Sequence, residues 1–298
     1  MSIAVGSGGI PEQPPRQRED ARLVWSETTV DGRSVRMAVS GSGPAALFLH
    51  GWGLRPNAYA EAIRHMGMAG CRVYAPALPG FGGTRELPAA ERSFDGYSAW
   101  VGRFLDAVGV ERVALVAGHS FGGGVATAFV HGHPDRADAL LLANAIGSPT
   151  WAALPGEVRT MVDRPAWDWG RNFGTDLLHS ARTLRVLPSL LEDFIPNLVR
   201  DPLGMLHTGA FIRQADLVSE IRIIADRGTP VRVAWSDRDG LVPRSSFDEL
   251  RRAAGVEGMV VEGSHAWLIA DPEGFGELAL HALVDSGALT LRPDLRAV

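Results

Sequence analysis

Apolar residues in this chain fall into short continuous runs, and between those runs they recur every third or fourth position. The first pattern marks strands and the second marks helices. After an opening tail (residues 1–20), residues 22–30 and 34–40 read as β-rich runs. They are separated by Asp31-Gly32, a dipeptide that tolerates positive φ and predicts a tight hairpin. The run Ala45-Ala46-Leu47-Phe48-Leu49 has no polar side, which predicts a strand buried on both faces. Helix 58–68, strand 71–75, helix 93–108, strand 112–117, helix 123–131 and strand 139–144 follow in alternation.

Residues 148–228 interrupt this rhythm with helical patterns broken by prolines and no convincing buried strand, so they read as an inserted helical cap. Strand 231–235, helix 245–253, strand 259–262 and helix 272–283 then resume it. Strands alternating with helices predict an α/β architecture, a mostly parallel central sheet flanked by helices on both faces. Residues 21–147 and 229–298 would form that core, and no internal repeat is visible.

Composition narrows the function classes. With 46% hydrophobic and 21% charged residues among 298, the chain is an ordinary globular protein. A formal charge of −5 and scattered arginines argue against a nucleic-acid partner. Cys71 is the single cysteine, so neither an intramolecular disulfide nor a cysteine zinc cluster can form. The opening residues lack a signal-peptide pattern, and no apolar run approaches the ~18 residues of a membrane span. A cytoplasmic location and a small-molecule substrate are therefore expected. No G-x-G-x-x-G follows an early strand, and no H-E-x-x-H or glycine-rich lysine loop occurs, so no metal or other cofactor is expected.

The candidate chemistry begins at Gly118-His119-Ser120-Phe121-Gly122, which lies between a predicted strand and a predicted helix. A sharp strand-to-helix turn holds its central residue in a strained conformation and leaves little room for neighbouring side chains, hence the flanking glycines. Such a turn would present the Ser120 hydroxyl above the sheet edge. Serine is a weak nucleophile, so it needs a base and a third group to orient that base. Strand 231–235 runs into a loop carrying Asp237 and Asp239, and strand 259–262 ends at His265, so both would reach the rim where open α/β sheets place their sites. Each residue also has a plain reading: Ser120 in a simple turn, Asp239 as a loop or N-cap residue, and His265 as a satisfied core histidine.

Taken together, His50-Gly51-Trp52-Gly53, Leu78-Pro79-Gly80-Phe81-Gly82, the Ser120 pentapeptide, Asp239-Gly240-Leu241-Val242-Pro243 and His265 make the chain resemble the α/β-hydrolase fold family over nearly its whole length after the tail. The resemblance implies a catalytic triad of Ser120, Asp239 and His265, with the D-x-x-x-P pattern selecting Asp239 over Asp237. It implies an oxyanion hole from the backbone N–H groups of Trp52 and Phe121, and a structural role for His50. Ser236, Ser264 and Ala77 depart from the family's commoner residues. Trp52, Phe121 and Trp267 are expected to line the pocket. Trp151 and Trp167 are weaker candidates among the cap residues Trp169, Phe173, Phe194, Met205 and Phe211. A cap arginine such as Arg164, Arg171 or Arg213 could meet a substrate carboxylate.

The implied activity is hydrolysis of a small, mainly apolar carboxylic ester or lactone. Two alternatives stand beside it: a C–C bond hydrolase of a diketone-like acid, and a ligand receptor or interaction module on the same fold. A serine where epoxide hydrolases and dehalogenases of the family carry aspartate argues against those two activities.

Overall fold

A computed structural model describes residues 21–151, 159–164 and 181–290. Strands β1 (Val24–Val30) and β2 (Arg33–Ser40) form the expected hairpin. Its turn places Asp31 at φ 52° and Gly32 at φ 72°, the two positive angles that match the twist of the flanking strands. Strand β3 (Ala45–Leu49) leads through a loop to α1 (Ala60–Met68) and β4 (Arg72–Pro76). Helix α2 (Phe94–Ala107) starts at Ser93, whose hydroxyl accepts the Gly96 N–H at 3.1 Å as an N-cap. Strand β5 (Leu115–His119), α3 (Phe121–Gly132) and β6 (Leu140–Ala143) complete the first half.

The insertion carries a short antiparallel pair, β7 (Thr150–Trp151) and β8 (Arg159–Thr160), then helices α4 (Ala181–Arg200) and α5 (Pro202–Ile212). Prolines were expected to break its helices, yet α4 runs continuously through Pro188 and Pro196. Each proline forfeits one helical hydrogen bond. Side chains on the described part of α4 also bond to the core, as set out below. Helix α6 (Val218–Asp226), which the sequence pattern places in the insertion, packs instead against α3 and α7 (Arg244–Ala253) of the main body. Strand β9 (Val231–Ser236), α7, β10 (Met259–Val261), the single turn α8 (Trp267–Ala270) and α9 (Pro272–Asp285) finish the chain.

The eight main strands are ordered β1-β2-β4-β3-β5-β6-β9-β10, antiparallel at the β1–β2 and β2–β4 pairings and parallel from β4 to β10. Their pleat sorts side chains into two cores. On β3, Leu47 and Leu49 join Phe104, Phe129 and Phe247 under α2, α3 and α7, while Ala46 and Phe48 join Ile63, Met66 and Phe275 under α1 and α9. That division explains why β3 reads as an unbroken apolar run.

Strand β5 and helix α3 begin and end differently from their sequence signals, which stop the strand at Ala117 and start the helix at Gly123. Pairing with β3 and β6 carries the strand on to His119. The helix then starts at once, at Phe121. Its glycines are poor helix formers, but packing leaves no alternative. A Cβ on Gly118 would sit 2.3 Å from the Gly122 carbonyl oxygen, and one on Gly122 would sit 2.2 Å from that of Leu49. Close approach of the helix to the sheet outweighs helix propensity here.

Candidate active site

Ser120 occupies the one-residue corner between β5 and α3, with φ 55° and ψ −119°. A left-handed φ is costly for a residue with a side chain, so the surroundings must hold it. They do so through the Ser120 N–H, which donates to the Ala143 carbonyl at 3.1 Å, and through the Ser120 carbonyl, which accepts from Gly123 and Ile146. Because α3 begins at Phe121, that residue's amide belongs to the first turn, where helical N–H groups have no helical partner.

Two other strand ends bring Asp239 and His265 to this rim. His265 Nδ1 lies 2.8 Å from Asp239 Oδ2, so Nδ1–H donates to the carboxylate. The Asp239 side chain is wholly buried and His265 nearly so. The second carboxylate oxygen accepts the Leu241 and Val242 N–H groups, each at 2.8 Å. Asp237 acts elsewhere. Its carboxylate accepts the Gly263 N–H at 3.0 Å and pins the loop that carries His265. The backbone carbonyl of His265 accepts from His119 Nε2 at 2.9 Å, and the two imidazole rings are 4.8 Å apart. His265 is thereby held beside the residue that precedes Ser120.

The His119 contact fixes a chain of donors. A carbonyl can only accept, so His119 carries its proton on Nε2, and Nδ1 accepts the Tyr59 hydroxyl proton at 2.8 Å. The Tyr59 oxygen in turn accepts the Gly51 N–H at 3.1 Å. Burial first, and the neighbouring His265 second, push the His119 pKa well below its ordinary value and keep it neutral. His50 is neutral for the same reason, its pKa pushed down to about 4 by burial. It bridges the Gly51 carbonyl and the Leu78 N–H, each at 2.9 Å, and so joins the loop after β3 to the Leu-Pro-Gly turn.

Asn144, at the end of β6, has no sequence signal yet sits at the centre of the buried polar network. Its φ of 45° is one asparagine tolerates better than most residues. Its Nδ2 donates to Asp239 Oδ2 at 2.5 Å and to Ser236 Oγ at 2.6 Å, and its Oδ1 accepts from Trp267 Nε1 at 2.7 Å. Ser236 Oγ donates to the Ser264 carbonyl at 2.8 Å. The hydroxyl at position 236, unusual by the family's pattern, thus ties the Asp239 strand to the His265 loop.

The expected pocket residues divide. The Trp52 indole donates to the Met205 carbonyl at 3.2 Å and packs edge-on to Phe194 of α4. The ring of Phe121 is fully buried among Phe81, Phe94, Tyr97 and Phe211. Trp151 lies under the Arg164 guanidinium, 5.9 Å from ring centroid to Cζ. Trp267 is buried. Its indole is drawn into the core against Phe275 by apolar packing and by its bond to Asn144. Trp167, with Trp169, Arg171 and Phe173, lies outside the described residues, as does the tail.

Arg164 is 2% exposed and donates to the Gly240 and Leu241 carbonyls at 2.7 and 2.6 Å, gripping the loop that follows Asp239. Arg213 donates to the Arg164 and Val162 carbonyls. Among the described residues no cluster of three or more His, Cys, Asp or Glu side chains could hold a metal ion, and no helix is long and apolar enough to cross a membrane.

Known proteins share this fold. The chain is 29% identical over 263 residues to a protein of Mycobacterium phage D29 that bears the name of a non-heme haloperoxidase, covering 86% of this chain and 93% of that one. Against three mycobacterial proteins it spans 34% of their length. Among solved structures it is similar to the enol-lactonase from Burkholderia xenovorans, with a TM-score of 0.69 and 19% identity over 87% of this chain and all of that one. The bromoperoxidase from Bacillus anthracis gives a TM-score of 0.69 and 20% identity over 88% of this chain and all of that one. The family described as alpha/beta hydrolase fold matches residues 44–271, well over half of the sequence. The chain belongs to the alpha/beta-hydrolase fold family.

Proposed function

We propose that the chain is a cofactor-free serine hydrolase of small, mainly apolar carboxylic esters or lactones, acting through an acyl-enzyme on Ser120. What supports this reading is the strained Ser120 corner, the first-turn amide of Phe121 beside it, and the buried His265–Asp239 pair, whose His265 carbonyl accepts from His119, the residue before Ser120. His265 Nδ1–H is committed to Asp239, so Nε2 takes the Ser120 proton as Oγ attacks the substrate carbonyl. The Trp52 and Phe121 N–H groups receive the resulting oxyanion, each contributing about 2.7–4 kcal/mol. His265 then gives its proton to the leaving alcohol, and water repeats the sequence in reverse to release the acid. Asp239 keeps the imidazole in the required tautomer and stabilises its cation.

The cap, taken as residues 148–217 once α6 is assigned to the main body, supplies Phe194, Met205 and Phe211 to the walls near Trp52 and Phe121. Such walls favour an apolar acyl or alkyl group over a charged one. Hydrolysis of a diketone-like acid would call for a cation facing Ser120; among the described residues, Arg164 donates to backbone carbonyls, and so does Arg213 through Nη2 while its buried Nε meets no partner. The apolar walls are what favour the ester and lactone reading. A kinetic screen of short-chain esters, lactones and vinylogous diketone acids, run with Ser120→Ala, tests it. Turnover of esters or lactones that Ser120→Ala abolishes supports the proposal. Turnover confined to the diketone acids, or halide oxidation of the kind named for the phage relative and the Bacillus anthracis enzyme, would replace it. Binding without turnover would point to a receptor.

A further inference from the structure

The loop from Gly51 to Ala58 carries Trp52, and much of what holds it comes from the cap. Asp193 and Asn197 lie four residues apart on α4, hence on one face of the helix. The Asp193 carboxylate, 1% exposed, accepts the Arg55 N–H at 3.1 Å and the Ala58 N–H at 2.9 Å through one oxygen. Its other oxygen accepts Arg55 Nε at 2.6 Å. Asn197, also buried, donates through Nδ2 to the Gly53 carbonyl at 2.9 Å and accepts the Gly82 N–H through Oδ1 at 2.9 Å. Two cap side chains therefore satisfy backbone groups at positions 53, 55, 58 and 82, immediately after Trp52 and in the neighbouring Leu-Pro-Gly turn. Gly53 has φ 76°, and a Cβ there would meet Phe194 of the same helix at 2.7 Å, so loop and helix are fitted to each other.

We infer that Asp193 and Asn197 are positioning residues that orient the Trp52 amide, so that the cap shapes the oxyanion hole as well as covering the substrate. The inference rests on the proposed hydrolase reading for its catalytic consequence, though not for its structural one. Displacing α4 removes acceptors and a donor from the loop at once, and a buried backbone group that loses its partner drives the loop to rearrange. Cap docking and oxyanion-hole formation then become one event.

The test uses the full chain with Asp193→Ala and Asn197→Asp. The second keeps the acceptor for Gly82 and replaces the donor to Gly53 by an oxygen that repels its carbonyl, so it perturbs one contact and serves if the first fails to fold. Hydrogen exchange at Trp52 to Leu54, amides that Asp193 does not touch, is expected to rise at least about tenfold in Asp193→Ala as the loop loosens. With p-nitrophenyl butyrate, kcat is expected to fall ~10–100-fold in both variants, and KM to stay within about threefold. An alkyl trifluoromethyl ketone adds Ser120 Oγ to its carbonyl, giving its π pair to the oxygen and the serine proton to His265. Its affinity should fall by the same factor as kcat/KM, a loss that simple cap loosening would not produce. Unchanged exchange in the folded variants, or a loss confined to KM with inhibitor affinity intact, overturns the inference. If the unmutated chain neither turns over the ester nor takes up the ketone, the hydrolase reading falls, and the exchange data alone still decide whether the cap orders the loop.

Discussion

The Tyr59 hydroxyl and His119 Nδ1 lie 2.8 Å apart beneath the rim that carries Ser120, both side chains fully or almost fully buried. Neither belongs to the Ser120, Asp239 and His265 set, yet together they link the Gly51 amide to the His265 carbonyl. The loops after β3 and β10 are thus joined to the end of β5 through two side chains.

Tyr59→Phe keeps the ring that packs on Phe48 and removes the hydroxyl. The Gly51 N–H and His119 Nδ1 both lose a partner, and each buried unsatisfied group costs about 1–3 kcal/mol. The expected result is a urea midpoint lowered at unchanged m-value, with a fall in kcat. An unchanged midpoint would show that water or rearrangement replaces the hydroxyl.

Asn144→Asp places a second carboxylate against Asp239 Oδ2, where Nδ2 now donates at 2.5 Å. Like charges at that distance cannot both ionise comfortably, so the pair should hold a proton and orient His265 poorly. At pH 7, kcat should drop on the order of 10–100-fold, equivalent to about 1.4–2.8 kcal/mol in the barrier. Asn144→Gly relieves the positive φ and still removes the amide. It separates the two effects: lowered activity with unimpaired thermal stability would assign Asn144 to orientation.

Acid stability follows from His50. Its folded pKa, about 4, is depressed below the ordinary 6.5, so between those values the unfolded state binds a proton that the folded state does not. Stability is therefore full above pH 6.5 and falls as pH drops toward 4, with about 3 kcal/mol lost from this residue alone. His119, shifted in the same direction, adds to the decline. Urea midpoints measured from pH 8 to 4.5 should fall steadily below pH 6.5. A flat profile would contradict buried neutral histidines.

What the sequence discloses here is mostly local. Asp31-Gly32 announces its own turn, the Ala45–Leu49 run its double-sided burial, and the glycines around Ser120 the sharp corner. Each of these depends on backbone geometry within a few residues. Side-chain partners set across the fold are not legible in this way. Asn144 meets Asp239 across 95 positions and Asp193 meets Arg55 across 138, and nothing in either neighbourhood signals the other. The partners of Trp267 and Arg164 are hidden for the same reason. An indole or a guanidinium near a motif can face a ligand or bind a distant polar group, and only the assembled packing pairs Trp267 with Asn144 and Arg164 with the Gly240 and Leu241 carbonyls.

The central claim is that Ser120 is a nucleophile activated by His265, and covalent labelling tests it most directly. The intact chain would be treated with an alkyl fluorophosphonate and the modified peptide located by mass spectrometry. The account predicts stoichiometric phosphonylation on Ser120, absent in Ser120→Ala and slowed on the order of 10³-fold or more in His265→Ala, since loss of the base leaves a weak hydroxyl. Labelling at another residue, or a His265→Ala variant that reacts as fast as the unmutated chain, would contradict it.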